Sequence, residues 1–529
     1  MNNRFVNIFE SAVKILILGI WSVIMLGLFA LCIVRTVDMG GKFDMYFLHD
    51  SPIRQFIYIA VLYVVMVAVS ILIKNYAPDS ICKWVIKNKN YIGVAVTVII
   101  SLFLIWWISI TWYEPVNDQM TCFECAKAFL QGDREEWVSG YMSLFPFQNG
   151  LVFFDMLLVL LFGDNAYIAF QYINVLFFIV AVIAIYKTCR CMFKKDNSLF
   201  IWFALLLFYP FAIYVVYCYG TMIGFSFAAL AVMFLFMYFD NRRLLYPALC
   251  SVSMILSIIM KPNYSIVLVG IILYLIYDVI ASCLKMKKPD KRIVKKSIIG
   301  LLIVISIYFI GSKAVNSMFD AITGYHNNGI PKIAWVAMGL HGGEIPEGWW
   351  DGYTGWVYER NNRNAKATIQ ECVNHIDDRI AILTNEKRLI KFYYKKISSE
   401  WNNPTWEGFN IQWVKSNAPG NQIKESVQQG NNQVYKEILN ICQTLINFGI
   451  ILYILTKWAN FKSFSVYELF NAVLMIGAFI FWTVWEAKSQ YVLPYYYFII
   501  PYAIVGWKSV VSKTVLICEN AKNTLMKGK

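Results

Sequence analysis

The amino-acid sequence predicts an all-α polytopic membrane protein with about twelve transmembrane helices. Of its 529 residues, 59% are hydrophobic and only 15% are charged, whereas a soluble globular chain is about 45–50% apolar and about 25% charged. Apolar runs of about 20 residues, each long enough to cross a bilayer, recur along the chain. This composition excludes a soluble enzyme and a disordered chain.

The predicted spans are the apolar runs between charged or turn-forming segments. The first run is too long for the core of a signal peptide and lacks a small-residue cleavage site, so we interpret it as a transmembrane helix. The twelve spans are predicted over 15–34, 56–73, 92–111, 166–186, 198–215, 220–239, 244–260, 264–284, 297–313, 441–456, 466–485 and 490–507.

The distribution of charge predicts which loops face the cytoplasm. The formal net charge is +14, and with the N-terminus inside, the basic loops near 74–91, 187–195 and 285–296 all become cytoplasmic, as the positive-inside rule requires. The bias explains the basic charge, so no nucleic acid partner is expected. We therefore predict a multi-pass protein of the cell membrane.

The short apolar stretch 151–163 is predicted to lie at the outer membrane surface. It has 13 residues, fewer than a crossing needs. A crossing there would also turn the basic loop that follows the next span to the outside. An interfacial helix inside one outer loop, 112–165, satisfies both constraints.

The chain divides into three predicted parts. Residues 1–313 form a transmembrane core that contains the outer loop. Residues 314–440 form an extracytoplasmic domain, α or α/β, long enough to fold alone. Residues 441–529 form the last transmembrane helices and a short cytoplasmic tail.

Acidic residues are concentrated in the outer loop just after a span. Pro115 ends the helix, which places Asp118 just above the bilayer, and Glu124 and Asp133 follow. A carboxylate with one side toward lipid has a raised pKa and suits a general base acting on a hydroxyl. The alternative is a solvated acidic loop, or an Asp118 that caps the next helix.

Two lysines lie at predicted outer boundaries of later spans. Lys261, before Pro262 and Tyr264, could hold a phosphate at headgroup depth, or simply snorkel. Lys488 lies near Glu486, and a local Glu–Lys pair is the simpler explanation. The four histidines are scattered without metal-ligand spacing, so no metal site is predicted from them.

In their order along the chain, these motifs resemble bacterial GT-C glycosyltransferases of the dolichyl-phosphate-mannose–protein mannosyltransferase-like kind (glycosyltransferase family 39-like). Many relatives carry Arg where this chain has Gln490, and Lys488 could substitute for it. The acidic pair of the protein-mannosylating branch is also absent, so the resemblance does not fix the acceptor. The motifs that carry the resemblance are Asn117-Asp118, Ala126 to Asp133, Tyr141 to Gly150, Lys261-Pro262 and Glu486 to Pro494.

The resemblance implies a GT-C-like fold and a hexosyltransferase of the bacterial plasma membrane whose active site faces outside. Such enzymes move a sugar, with inversion, from a polyprenyl-phosphate donor to a hydroxyl of a glycan, lipid or protein. Asp118 would then be the general base, and Glu124 or Asp133 would orient it or hold a divalent cation if one is used.

The same resemblance assigns the other candidate residues. Lys261 and Lys488 would bind the donor phosphate, which leaves without needing a proton. Substrate or lipid contacts would come from Tyr264, Glu486 and Tyr491.

Other functions stay open from the sequence. A polysaccharide polymerase or ligase shares the membrane class and the lipid-linked donor. A transporter or flippase of lipid-linked sugars would need ionisable groups deep inside spans, where Asp278 is the main candidate. A non-catalytic membrane scaffold is a further alternative.

Overall fold

The computed structural model describes residues 2–39, 45–193, 198–284, 291–343, 345–408, 417–428 and 433–527. Within them the chain is largely helical, as predicted. The N-terminal elements are α1 (Asn2–Val34), β1 (Arg35–Met39), β2 (Met45–His49), α2 (Pro52–Tyr76) and α3 (Asp79–Thr111).

The two short strands are the only strands among the described residues, and the sequence did not predict them. They pair antiparallel, with Val37 opposite Phe47. The Val37 amide donates to the Asn402 carbonyl at 3.1 Å, so this hairpin is hydrogen-bonded to a segment that is distant in the sequence.

A run of short helices follows α3 and leads into the central bundle. The short helices are α4 (Asp118–Leu130), α5 (Glu135–Val138), α6 (Tyr141–Leu144) and α7 (Asn149–Phe162). The bundle helices are α8 (Ala166–Phe193), α9 (Ser198–Leu207), α10 (Tyr209–Ala212), α11 (Thr221–Asn241), α12 (Leu245–Met260), α13 (Ser265–Leu284) and α14 (Lys291–Thr323).

The rest of the chain comprises three long helices and the segment predicted to lie outside the membrane, which we call the outer segment. The outer segment, 314–440, contains α15 (Ile333–Met338), α16 (Tyr353–Arg360), α17 (Ala365–Asn385), α18 (Leu389–Trp401) and α19 (Asn421–Gln428). The long helices are α20 (Gln433–Ala459), α21 (Phe470–Val484) and α22 (Ser489–Lys527).

Among the described residues, ten helical segments are long and apolar enough to cross a membrane. Helices α9 and α10 form a pair bent by 58° that would make an eleventh, and α12 is a shorter apolar helix of 16 residues. Each predicted span overlaps one of these helices or the bent pair. The chain is therefore an all-α polytopic membrane protein, with a count of ten or eleven by this measure where twelve were predicted.

Helix α7 covers the stretch predicted to be interfacial. It is separated from α8 by a turn at Gly163, where φ is +56°. Phe153 stacks on Phe319 near the end of α14, with ring centroids 4.8 Å apart, and Phe154 packs edge-on against Phe170 near the start of α8. Helix α7 therefore contacts neighbouring helices near one common end of the bundle.

The outer segment shares its core with the membrane helices. Trp401 and Trp406 are each 1% exposed and belong to the main apolar core. The Trp406 ring lies 4.8 Å from that of Tyr496 in α22, and Trp401 packs against Phe479 in α21. The C-terminal part of a segment predicted to fold by itself is thus packed into the bundle.

Candidate functional site

Lys261 directly follows the last residue of α12 and carries an ammonium group that is buried beneath aromatic rings. Its side chain is buried, and Nζ donates to Thr221 Oγ1 at 2.7 Å. Nζ also lies 4.9 Å from the ring centroid of Tyr219 and 5.3 Å from that of Tyr491. Such cation–π contacts partly replace lost hydration. The boundary lysine of the sequence is therefore enclosed rather than extended into solvent.

Gly220 explains why Thr221 and Tyr219 reach this lysine. A Cβ atom at Gly220 would lie only 1.8 Å from the Met260 carbonyl oxygen. Only glycine permits so close an approach of two backbones. The start of α11 therefore sits directly on the end of α12.

Four charged groups from three separate loops act on one another here. Burial and the neighbouring Lys488 ammonium lower the pKa of Lys261 to about 7, while the carboxylates of Asp118 and Glu486 act in the opposite direction. Charges influence one another in this way only across short distances. The structure thus brings Asp118, Lys261, Glu486 and Lys488 into one cluster, which we call the charged cluster.

Glu486 is the buried carboxylate of the charged cluster. Burial raises its pKa to about 7, with Lys488 lowering it and Asp118 raising it further. Tyr491 donates its hydroxyl to Glu486 Oε1 at 3.4 Å, and its ring stacks on Trp482 with centroids 4.8 Å apart.

The loop that carries Glu486 and Lys488 is held by the outer segment. Lys396 donates its ammonium to the Trp485 carbonyl at 2.6 Å and to the Gly339 carbonyl at 2.7 Å. The Ala487 amide donates to the Gly348 carbonyl at 2.7 Å. The outer segment therefore fixes the backbone on both sides of Glu486.

Glu407 is a residue that the sequence did not reveal, and it holds the start of α22. Its buried carboxylate accepts the Ser489 amide at 2.9 Å and the Ser489 hydroxyl. Burial raises the pKa of Glu407, and Lys488 opposes that shift. An acidic group at a helix N-terminus accepts hydrogen bonds from amides that have no partner within the helix. Its negative charge also interacts favourably with the helix dipole. Glu407 is thus a positioning residue for Lys488.

Asp118 begins α4 and its side chain is exposed. Burial raises the pKa of Tyr141, Tyr217 and Tyr219, and the Asp118 charge raises each of them further. Tyr141 is far in the sequence from Tyr217 and Tyr219, which share the loop before α11. Asp118 therefore lies near a set of phenol groups, one of which, Tyr219, also packs against Lys261.

Hydroxyl and amide groups line the same region. Gln148 donates its amide to the Tyr219 hydroxyl, and the Gln490 carboxamide opposes the rise that burial causes in the pKa of Tyr217. Phenols and carboxamides can both donate and accept hydrogen bonds. Aromatic faces and such groups together suit a polyhydroxylated ligand.

Two predicted acidic residues lie elsewhere. Glu124 is exposed and pairs with Lys127 at 3.2 Å on the outer face of α4. Asp133 is also exposed, and its Oδ1 accepts the amide of Glu135, the first residue of α5, at 2.8 Å. The structure gives neither residue a contact that would orient Asp118.

Tyr264, which was predicted as a substrate or lipid contact, is buried next to Lys261. It is 1% exposed, and its hydroxyl donates to the Thr221 carbonyl at 2.7 Å. The side chain therefore braces the turn after Lys261 against α11.

In the described part of the chain, no group of three or more His, Cys, Asp or Glu side chains is arranged to hold a metal ion. Two of the scattered histidines do meet: His341 Nε2 lies 2.6 Å from His375 Nε2, and His341 Nδ1 lies 2.6 Å from Asp351 Oδ2. This pair lies in the outer segment.

Comparisons with protein-family models, with curated proteins and with solved structures found no match for this chain.

Proposed function

We propose that the chain is an integral-membrane glycosyltransferase of the outer face of the cell membrane. It moves a sugar from a polyprenyl-phosphate donor to an acceptor hydroxyl with inversion. The observation that supports this proposal is the charged cluster, in which one accessible carboxylate and two ammonium groups gather at an end of the membrane bundle.

The chemistry divides between the two kinds of charge. Asp118 accepts the proton of the acceptor hydroxyl as its oxygen bonds to the anomeric carbon of the sugar. The bond from that carbon to the phosphate oxygen breaks, and its electron pair leaves with the phosphate. Lys261 and Lys488 stabilise the phosphate, so no acid is needed.

The remaining groups form the walls of the proposed site. Tyr217, Tyr219 and Tyr491 offer ring faces and hydroxyls to the sugar. Glu486 partly offsets the repulsion between the two ammonium groups without forming a direct ion pair with either. A single displacement from the face opposite the phosphate inverts the anomeric configuration.

Asp118→Asn tests the proposal in proteoliposomes that contain the full chain. The substrates are a panel of polyprenyl-phosphate monosaccharides labelled in the sugar, with cell-envelope extract as the source of acceptor. We expect wild type to transfer label from one donor. Loss of a general base costs about 10²- to 10⁴-fold, so Asp118→Asn should lose at least about a hundredfold of the rate.

Asp164→Asn is the matched control, because Asp164 is an exposed aspartate of the turn after α7. It should retain the wild-type rate. Transfer by Asp118→Asn at that same rate would reject Asp118 as the base. Transfer only from a polyprenyl-diphosphate oligosaccharide would favour a polymerase or ligase, and lipid-sugar flux without transfer would favour a flippase.

A further inference from the structure

A second concentration of positive charge surrounds a cavity in the outer segment. The cavity has a volume of about 70 Å³ and lies between the loop after α15 and the helices α17 and α18. Its lining residues are Gly342, Glu347, Arg379, Leu383, Arg388, Lys391, Phe392 and Lys395. None of them belongs to the charged cluster.

The charges on these lining residues do not cancel. Four are cationic and one is acidic. Lys395 pairs with Glu347 at 2.7 Å. Arg379 donates through Nε and one terminal nitrogen to the Leu340 carbonyl at 3.2 and 3.1 Å, which orients the guanidinium without neutralising it.

The two other cations stand at the rim. Arg388 is exposed and bonds to the exposed Glu386 at 2.9 Å. Lys391 is exposed and has no ion-pair partner among the described residues. An anion entering the cavity would therefore meet an oriented guanidinium and a second, unneutralised cation.

The floor of the cavity is apolar and fixed. Phe392 and Leu383 are 4% and 2% exposed and pack with Leu340 in a small core of their own. A low-dielectric wall strengthens the field of the cations above it. The cavity volume exceeds the ~10–15 Å³ that a cavity needs to hold one water molecule. A tetrahedral oxyanion therefore has room.

We propose that this cavity binds a phosphate group. An oriented guanidinium beside ammonium groups is the arrangement that proteins use for phosphate oxygens. The surplus of cations matches the double charge of a phosphate monoester better than the single charge of a carboxylate.

The position of the cavity connects it to the proposed active site. Lys395 is followed by Lys396, which bonds to the Trp485 carbonyl, and Glu347 is followed by Gly348, which accepts the Ala487 amide. Helix α18 and the loop after α15 thus contact the cavity on one side and the Glu486–Lys488 loop on the other. If the proposed function holds, the phosphate group belongs to the acceptor. The binding itself does not depend on that function.

The test is phosphate binding by the full chain in nanodiscs of neutral lipid at constant ionic strength. Inorganic phosphate and glycerol 3-phosphate are the probes, and saturable thermal stabilisation is the readout. Lys391→Glu should weaken binding about tenfold or more, since charge-assisted bonds are the strong ones. Lys366→Glu makes the same charge change at an exposed position outside the cavity and should bind like wild type.

Several results would overturn the proposal. Wild type could show no saturable stabilisation, or Lys391→Glu and Lys366→Glu could bind equally. If Lys391→Glu fails to fold, Arg388→Gln replaces it with the same expectation. In nanodiscs that contain phosphatidic acid, whose headgroup is a phosphate monoester, unchanged affinity identifies a soluble phosphate as the occupant, whereas weakened affinity identifies a lipid headgroup. The test measures binding and does not require sugar transfer. Its failure is therefore distinguishable from failure of glycosyl transfer.

Discussion

The two ends of the helical bundle use similar charged groups in opposite ways. At the end where α11 and α13 finish, Arg242 donates to both carboxylate oxygens of Asp278, at 2.5 and 2.7 Å. The Tyr467 hydroxyl donates to the same carboxylate at 2.6 Å. Asp278 was the residue that a transporter would need inside a span, and here its charge is fully compensated.

The charged cluster at the other end is not paired in this way. Among the described residues, Asp118, Lys261, Glu486 and Lys488 form no ion pair with one another within 4.0 Å. Their charges nevertheless shift the pKa of Lys261 and of Glu486. Charges that saturate each other stabilise a fold, while charges held together without contact remain available to a ligand.

The largest expected effect is a loss of stability when the ion pair at the first of these two ends is broken. Arg242→Ala leaves the buried Asp278 carboxylate without its cation, so the free energy of unfolding should fall by about 3–5 kcal/mol. Thermal unfolding in detergent measures it. Adding Asp278→Asn to the same chain should recover part of the loss, and donor affinity should stay unchanged. An Arg242→Ala protein of normal stability would contradict the structural role of this pair.

Lys261→Ala should show the reverse pattern. It removes a buried, unneutralised cation, so stability should change little while affinity for the polyprenyl-phosphate donor falls. Loss of a buried charge-assisted contact costs about 2 kcal/mol or more, which is roughly thirtyfold in affinity. A donor titration with the purified protein checks this. An unchanged dissociation constant would remove Lys261 from the site.

The pH dependence of donor affinity gives a smaller effect. The pKa of Lys261 is lowered to about 7 and that of Glu486 is raised to about 7. As pH rises through this value, Lys261 loses its positive charge and Glu486 gains a negative one, and both changes disfavour an anionic donor. Affinity should therefore fall above about pH 7, by roughly tenfold per pH unit for each of the two protons lost.

Lys261→Arg is the control for the pH profile, because a guanidinium stays protonated. Its profile should be flatter than that of wild type. Affinity that rises with pH in the wild-type protein would contradict the assignment of the phosphate to this cluster.

The smallest effect concerns Glu407. Glu407→Gln keeps an oxygen that can accept the Ser489 amide but loses the charge that faces Lys488. Because Glu407 positions Lys488, we expect a severalfold loss of donor affinity. We also expect a loss of about 1 kcal/mol in stability. Glu407→Ala should lose more of both. If both variants lost stability while keeping full donor affinity, Glu407 would be a helix cap alone.

The sequence predicted those features that depend on local order along the chain. Hydropathy runs placed the membrane helices, and Pro262 after an apolar run marked Lys261 as a boundary residue. Asp118 was found for a similar reason, since Pro115 ends the preceding helix. In each case the identity of neighbouring residues in the sequence was sufficient for the prediction.

Features that depend on contacts between distant segments were not predictable in this way. Glu407 contacts Ser489 across 82 residues, and nothing near either residue signals the other. Tyr217 and Tyr219 lie in the short gap between two predicted spans, and the dense tyrosines before Gly220 were a usable signal. Glu124 could have been excluded, because six residues along a helix turn it about 120° away from Asp118.

The most direct test of the account is a cryo-electron microscopy structure of the chain in nanodiscs with a non-transferable polyprenyl-phosphonate sugar. The account predicts that the phosphonate oxygens contact Lys261 and Lys488, and that the anomeric carbon faces Asp118. A ligand bound at the Arg242–Asp278 end, or with Asp118 on the phosphonate side of the sugar, would contradict it.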